Sequence, residues 1–485
     1  MTTSESVKSK SYKLVKRLNL SIGVIEVESD HGTLGVEKDL SESLSPVTPS
    51  SKFTTSVIKT STDGIINCIL LSHWDNILGP RIVHLWTVPN KPHYSHNVCN
   101  KVCSQSLSGE ICRECDNCFI DYKLFSNTDD GIIIPVFVFT ANTISGPAVH
   151  SLSLIIEKTD LTLFLQLQHL IIRCMERLVG KLRILFHKTD VLKEEVLDNF
   201  FYQNGDCINT ISLLKSSCLP FNIKLSDTYF CPSHNLEREF LHNCITSHLV
   251  TFGKSLVIGD KEENINAMIH TLCMFNTDEE KRCSLLFNGD KRHKFHHDLW
   301  LQGMKRRPHQ RIELPVHELL YSKYPSSVID ITAMDIKQSP VYCDHVIHSY
   351  ITQRNELLWI MGGENTVIPN PSGEILIPVS HTETLVQNLL DDLDKLPPTC
   401  GVREAFISQF MRTIHMKALC LIKYLEGETN CGAQPYRGGL KKIRHDLCLP
   451  TEGDLMIVLA AAEKLKPGLY WFLMRDYLNN QNNVY

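Results

Sequence analysis

The sequence has no long hydrophobic run and no excess of positive charge. Its longest strongly apolar stretches, residues 131–139 and 161–172, are too short or too interrupted to span a bilayer, so no transmembrane segment is predicted. The net charge of -5 excludes a globally basic nucleic-acid binder. No apolar segment follows the early lysines, as it would in a secretory signal. We therefore expect the 18 cysteines to be reduced thiols in a soluble cytosolic protein.

Motifs of covalent catalysis are also missing. The sequence contains no G-x-S-x-G nucleophile elbow and no H-E-x-x-H metalloprotease motif. Gly253-Lys254-Ser255 has the residues that end a phosphate-binding loop, but His248 stands where that loop needs its first glycine. The predicted order here is helix, loop, strand, whereas a phosphate-binding loop precedes a helix, so Gly253 is predicted to end a helix. No catalytic residue, bound nucleotide or cofactor is predicted.

Histidine and cysteine are concentrated in one polar insert. The residues are His93, His96, Cys99, Cys103, Cys112, Cys115 and Cys118. The spacing of Cys112, Cys115 and Cys118 allows three thiolates to converge on one ion, and Cys99 completes the candidate zinc site. The competing interpretation is that these cysteines fill half-buried strand positions, because the set does not form two clean pairs. We adopt that interpretation, which predicts no metal, and keep the zinc site as the alternative.

The stretch from Ser72 to Trp86 predicts two strands with a tight turn between them. Asp75-Asn76 and Gly79-Pro80 are turn-forming pairs between apolar segments. Further strands are predicted at 120–124, 131–139 and 152–157. A helix is predicted at 161–186, where apolar residues recur at steps of three and four. This pattern predicts an α+β layer, an antiparallel sheet backed by a long helix.

The second half of the chain has a different pattern. A helix at 236–249, a short buried strand at 255–258 and a helix at 264–275 predict an α/β core. The last third is predicted to be helical, with amphipathic helices at 402–425 and 454–465.

The turn between the first two strands carries a resemblance to a known family. Residues 74–81 read WDNILGPR and closely resemble the signature of the longin-DENN family, which is linked to amyotrophic lateral sclerosis and frontotemporal dementia by a hexanucleotide-repeat expansion. Further segments resemble the same family, at 244–249, 281–284, 324–330, 354–357, 415–419 and 463–469. The resemblance covers roughly residues 65 to 472. It implies a longin domain followed by a DENN domain with an α/β core and a helical C-terminal part.

The predicted domain organisation combines these patterns with the resemblance. The parts are a disordered Ser/Thr-rich tail at 1–62, a longin (upstream DENN) domain at 63–190, a linker at 191–234, a central DENN part at 235–365, a helical downstream DENN part at 366–475 and a tail at 476–485. Serine and threonine content predicts the first tail, and breaks such as Asn204-Gly205 predict the linker.

The resemblance also implies a function. Members of the family act as subunits of a heteromeric complex that regulates small GTPases of the Rab or Arf type in autophagy and in lysosomal and endosomal trafficking. The implied partners are a second longin-DENN protein and, through it, a WD-repeat protein. The implied location is the cytoplasm, with peripheral recruitment to lysosomes, endosomes and autophagosomes, and the nucleus as a further location. Two alternatives stay open: a scaffold whose partner carries the activity, and a zinc-containing protein-binding module.

The candidate partner-facing residues are Trp74, Asp75 and Arg81. An exposed aromatic residue beside charged residues is a common anchor in protein interfaces. The alternative is structural, with Trp74 packed on the sheet, Asp75 capping the turn and Arg81 paired with a carboxylate. An exchange factor would use such groups to stabilise the nucleotide-free GTPase. An activating complex would position an arginine finger, which the family resemblance attributes to the partner.

Overall fold

The computed structural model describes residues 53–58, 64–110, 119–143, 146–188, 194–217, 219–220, 223–231, 236–289, 294–306, 314–362, 375–379, 382–397 and 401–474. Three of the candidate zinc ligands, Cys112, Cys115 and Cys118, lie outside these residues. Most of the predicted N-terminal tail and all of the predicted tail at 476–485 lie outside them as well. Within the described ranges, no helix has an apolar stretch long enough to cross a membrane.

The N-terminal half builds a six-stranded sheet. In chain order its strands are β1 (Thr54–Val57), β2 (Ile66–Asp75), β3 (Gly79–Thr87), β4 (Asp121–Asn127), β5 (Ile132–Thr143) and β6 (Gly146–Glu157). Their spatial order is β1-β3-β2-β6-β5-β4, and neighbours are antiparallel except for the parallel pair β1 and β3. The predicted antiparallel sheet is confirmed.

Strand β1 corrects the predicted tail. The prediction of disorder through residue 62 is wrong at Thr54–Val57, which pair with β3. Two hydroxyls of this strand contact the buried ring of His84, the Thr54 Oγ1 at 2.5 Å from Nδ1 and the Ser56 Oγ at 2.7 Å from Nε2. The Ser/Thr composition that indicated disorder therefore supplies hydrogen-bond partners for a buried histidine.

Both faces of the first sheet are covered by helices. Helix α1 (His96–Ser106) lies on one face and helix α2 (Leu161–Lys188) on the other. Within β2, Cys68 and Leu70 pack on the α1 side while their neighbours pack on the α2 side, as the alternation of a strand requires. The helix predicted at 161–186 is confirmed. Helix α1 is not foreseen from the sequence, because its inward residues are two cysteines, a valine and a serine in a polar segment.

The predicted linker at 191–234 is wrong over much of its length. Residues Glu194–Asn204 form helix α3 and residues Asp206–Ser217 form helix α4. Both helices contribute apolar side chains to the core under α2. The Phe201 ring lies 4.0 Å from the ring of Trp86 on β3, measured between centroids. The Asn204-Gly205 pair, which indicates a break in the sequence, is the corner between two packed helices.

The second half contains a five-stranded sheet. Its strands are β7 (Ser255–Gly259), β8 (Leu301–Lys305), β9 (Ser327–Asp330), β10 (Asp335–Gln338) and β11 (Ile377–Pro378), in the spatial order β11-β10-β9-β7-β8. Strand β7 is parallel to both β8 and β9, whereas β10 is antiparallel to its two neighbours. A central strand flanked by parallel partners and buried throughout is the predicted α/β core.

Helices surround this second sheet and continue into the C-terminal part. They are α5 (Arg238–Val250), α6 (Glu262–Cys273), α7 (Asp278–Arg282), α8 (Val316–Tyr321), α9 (Tyr342–Gly362), α10 (Leu385–Lys395), α11 (Val402–Glu428), α12 (Gly439–Asp446) and α13 (Glu452–Leu465). The helices predicted at 236–249, 264–275, 402–425 and 454–465 correspond to α5, α6, α11 and α13. Thr451 caps the N-terminus of α13, and its Oγ1 accepts the Asp454 N–H at 3.2 Å.

A buried carboxylate joins the two halves of the molecule. Asp298, just before β8, forms an ion pair with the Arg173 guanidinium at 3.0 Å and accepts a hydrogen bond from the Arg177 guanidinium. Both arginines are on α2. Burial opposes ionisation of Asp298, but the positive groups around it outweigh that effect and hold its pKa well below the usual range. A second bond between the halves runs from Lys181 Nζ on α2 to Glu356 Oε1 on α9, at 2.7 Å.

Replacing Asp298 tests this junction. We expect Asp298→Ala to lower the free energy of unfolding by roughly 3–5 kcal/mol, because two partly buried guanidinium groups lose their counterion. The matched control is Asp391→Ala, whose carboxylate pairs with Arg238 on an exposed surface and is expected to cost roughly 0–1 kcal/mol. Urea denaturation followed by circular dichroism measures both. Equal losses in the two variants would contradict the assignment.

The core position of α3 is tested with two adjacent aromatic residues. Phe201 is 4% exposed, whereas Tyr202 is 80% exposed. We expect Phe201→Ala to cost roughly 3–5 kcal/mol because it leaves a cavity beside Trp86. Tyr202→Ala is expected to change stability by no more than about 0.5 kcal/mol. If residues 194–217 were a solvated linker, thermal melts of the two variants would coincide.

Candidate protein-binding hairpin

The turn between β2 and β3 is held by its own aspartate. Asp75 Oδ1 accepts the Ile77 N–H at 2.8 Å and the Leu78 N–H at 2.9 Å. These bonds, first the one from Leu78 and then the one from Ile77, lower the pKa of Asp75, so the carboxylate is ionised at neutral pH. Gly79 follows with φ of +77°, a left-handed conformation that glycine adopts without a steric penalty. The turn therefore has a defined backbone shape.

The most exposed apolar residues of the hairpin are at its tip. Ile77 is 91% exposed and Leu78 is 62% exposed, whereas Trp74 and Arg81 are only partly exposed. Trp74 pairs with Pro80 and Arg81 with His73 in the β2–β3 ladder. The residues predicted from the sequence, Trp74, Asp75 and Arg81, flank the turn, and these two apolar residues were not predicted. The available signal was an Ile-Leu pair placed between turn-forming residues, where the backbone leaves the sheet.

Two of the three predicted residues have structural contacts. Asp75 caps the turn, as the structural alternative stated. Burial lowers the pKa of His73, and the negative charge of Asp75 opposes this effect. The positive charge of Arg81 lowers the pKa of His73 further. The Arg81 guanidinium is thus close to the side chains of His73 and Asp75. Arg81 itself lies in the β2–β3 ladder, two residues after the turn ends at Gly79. Ile77 and Leu78 form the exposed apolar tip of the turn. The partner-facing role of Trp74, Asp75 and Arg81 stays a prediction.

Cys99 is the one member of the candidate zinc site that the structure describes. It lies on α1, fully buried against the first sheet, and burial raises the pKa of its thiol to about 11. Because Cys112, Cys115 and Cys118 lie outside the described residues, the zinc alternative stays a prediction. The expectation that the insert's cysteines occupy strand positions is wrong for Cys99 and Cys103, which lie on a helix.

Another group of ligand-type atoms occurs at the junction. In the described part of the chain, Cys174, His296 and Asp298 place one such atom each within 4.8 Å of one another. The carboxylate of Asp298 already binds Arg173 and Arg177, and two guanidinium charges beside the group disfavour a further cation. These residues do not fit a metal site.

Gly253 ends helix α5, as predicted. Its N–H donates to the His248 carbonyl at 2.8 Å, and its φ is +84°. Strand β7 begins two residues later, so no helix N-terminus follows the glycine. The Lys254 side chain is buried, and its Nζ donates to the His297 carbonyl. The local structure is that of a helix end, as in the sequence prediction, and differs from a phosphate-binding loop.

The two parts of the fold, in their order along the chain, define the class of protein. An antiparallel sheet enclosed by helices, followed by a mixed α/β core and a helical C-terminal part, is consistent with a longin domain followed by a DENN-like domain. The sequence model of the C9orf72-like protein family matches residues 101–345.

Three similar proteins extend the comparison over most of the chain. The guanine nucleotide exchange factor C9orf72 of Homo sapiens is 32% identical over 434 residues, which cover 83% of this chain and 90% of that protein. The guanine nucleotide exchange factor C9orf72 homolog of Mus musculus has the same identity and coverage, and that of Rattus norvegicus is 31% identical. The chain belongs to the C9orf72-like protein family.

The capping role of Asp75 is tested by amide hydrogen exchange. We expect Asp75→Ala to accelerate exchange at the Ile77 and Leu78 amides, because both lose their acceptor. Asn76→Ala, in the same turn, is the control and should leave these rates nearly unchanged. Because the pKa of Asp75 is lowered on folding, the wild-type protection is present above the ordinary carboxyl pKa and is lost as pH falls through the lowered value. Unchanged exchange in Asp75→Ala would remove this role.

Proposed function

We propose that this chain is a subunit of a heteromeric longin-DENN complex that regulates small GTPases of the Rab or Arf type. The observation that carries the proposal is membership of the C9orf72-like family, whose three similar proteins are named guanine nucleotide exchange factors. The second support is the hairpin, which presents an apolar pair on a backbone of fixed shape. Exchange is the activity that both observations favour.

Exchange requires differential binding and no covalent step. A protein that binds the nucleotide-free GTPase more tightly than the nucleotide-bound form shifts the equilibrium toward nucleotide release. Burying Ile77 or Leu78 against the GTPase would contribute roughly 1.5–3 kcal/mol for each side chain that becomes fully enclosed. The turn bonds of Asp75 reduce the cost of ordering this contact, since the loop is held in one conformation before binding.

A contribution to GTP hydrolysis remains an alternative role for the same complex. Activation would need an arginine directed at the phosphate being transferred. Arg81 lies in the β2–β3 ladder, behind the turn, and not at the tip. The finger would then come from the partner, and this chain would act as a scaffold that positions it.

The expected partners are a second longin-DENN protein and, through it, a WD-repeat protein. In the described sheet, β1 and β4 occupy the two ends, so a partner strand could extend the sheet at either position. The proposed setting is the cytoplasm, with recruitment to lysosomes, endosomes and autophagosomes in autophagy and endosomal traffic, and the nucleus as a further location.

The proposed surface is tested in the assembled complex. Release of labelled nucleotide and hydrolysis of GTP are measured for candidate Rab and Arf proteins, with the chain alone and with its longin-DENN partner. We expect the double variant Ile77→Asp/Leu78→Asp to slow release by at least about tenfold, since it replaces an apolar contact with two charges. Trp74→Ala and Asp75→Ala are expected to have smaller effects, because these side chains border the contact.

The control for this assay is Leu165→Asp, which adds a charge at an apolar residue 51% exposed on α2. It should leave both rates unchanged. Normal rates in all hairpin variants would refute the surface while leaving the activity in place. No effect of the wild-type complex on any candidate GTPase, in either reaction, would refute the function.

A further inference from the structure

A cleft of about 510 Å³ opens between α2 and α9, where the two halves of the molecule meet. Its volume lies within the range of small-molecule sites in proteins. Three cationic side chains and three tyrosines account for most of its polar lining. They are Arg173, Arg177, Lys323, Tyr321, Tyr342 and Tyr350. The cleft is separate from the hairpin and plays no part in the proposed GTPase contact.

Among the residues that line the cleft, three are cations and one is a carboxylate. Arg173 and Arg177 share one counterion, Asp298, which lies buried behind them. The carboxylate in the lining is that of Glu176, and burial raises its pKa against the opposing effect of Arg173 and Arg177. Both arginine side chains remain partly exposed, 33% and 24% respectively, so they can contact a molecule in the cleft.

Lys323 increases this imbalance. Lys323 and Arg173 line the same cleft. Burial lowers the pKa of Lys323, and the positive charge of Arg173 lowers it further. The charge of Glu463 opposes this effect, but its carboxylate is buried and does not line the cleft, and it accepts the Tyr342 hydroxyl at 3.1 Å and the Gly468 N–H at 2.7 Å. Like charges gathered in a concave site favour binding of an anion that can contact several of them.

The aromatic residues give the site a rigid wall. The Arg177 guanidinium carbon lies 5.4 Å from the centre of the Tyr321 ring, and Lys323 Nζ lies 4.9 Å from the centre of the Tyr324 ring. Such contacts orient the cations without neutralising them. Phosphate groups match this arrangement, because guanidinium groups donate paired hydrogen bonds to their oxygens and an ammonium adds a point charge.

We propose that the cleft between α2 and α9 binds a small anion carrying several phosphate groups, through Arg173, Arg177 and Lys323. Inositol phosphates in solution and the phosphorylated headgroup of an inositol lipid share this chemistry. Because the ligand would contact both halves of the molecule, its binding would stabilise their junction as well as occupy the site.

The test uses the full chain with two probes. The first is inositol hexakisphosphate, measured by isothermal titration calorimetry and by the shift in melting temperature. The second is a set of vesicles containing phosphatidylinositol bisphosphate, measured by co-sedimentation against vesicles of phosphatidylcholine alone. We expect Lys323→Gln and Arg173→Gln each to weaken binding about tenfold, since each removes one charged contact. The matched control is Lys441→Gln, an exposed lysine on α12, which should bind normally.

A second variant avoids the buried junction. Tyr350 is 69% exposed at the rim of the cleft, so Tyr350→Glu should fold and should repel the anion. If inositol hexakisphosphate binds, the cleft variants weaken this binding and the vesicles do not bind, the cleft is a site for a soluble inositol phosphate. Vesicle binding with the same sensitivity identifies the lipid headgroup. Absence of binding to both probes, or binding that none of the cleft variants changes, overturns the proposal.

Discussion

The ion pairs between Asp298 and the two arginines of α2 are the contact on which the relation between the two layers depends. A buried carboxylate of this kind is stable only when its cations stay in place, so the second half cannot separate from α2 without exposing or stranding a charge. The Lys181–Glu356 bond adds a second connection along the same helix. Helix α2 therefore packs on the first sheet and also contacts the second half of the molecule.

The first sheet and its two helix layers hold the β2–β3 hairpin in place. Strands β2 and β3 lie within the sheet, flanked by β6 and β1, and their buried residues contact both helix layers. The tip is thus an exposed apolar pair on a well-supported base. An interface of this type loses little conformational entropy on binding, because the backbone is already ordered. This is the property that a protein acting by differential binding requires.

Local patterns account for the parts of the fold that the sequence predicted. The apolar stripe of α2, the turn at Asp75 and the end of α5 at Gly253 each arise from residues close in the chain. The errors involve partners distant in sequence. Strand β1 depends on His84, α3 depends on Trp86, and α1 presents small, weakly apolar residues inward. The exposure of Ile77 and Leu78 is likewise a tertiary property, and residue type alone indicates burial for both.

Coverage of the first sheet by α1 and α2 on its two faces limits how other chains can associate with it. A second protein cannot stack on either broad side over the helices and still reach strand backbone. Growth by backbone pairing must be lateral, in the plane of the sheet, at β1 or β4 in the described part of the chain. Since a sheet has two lateral ends, strand addition at the described part of this first sheet can attach at most two neighbours, which sets an upper bound on the stoichiometry of an assembly built on it.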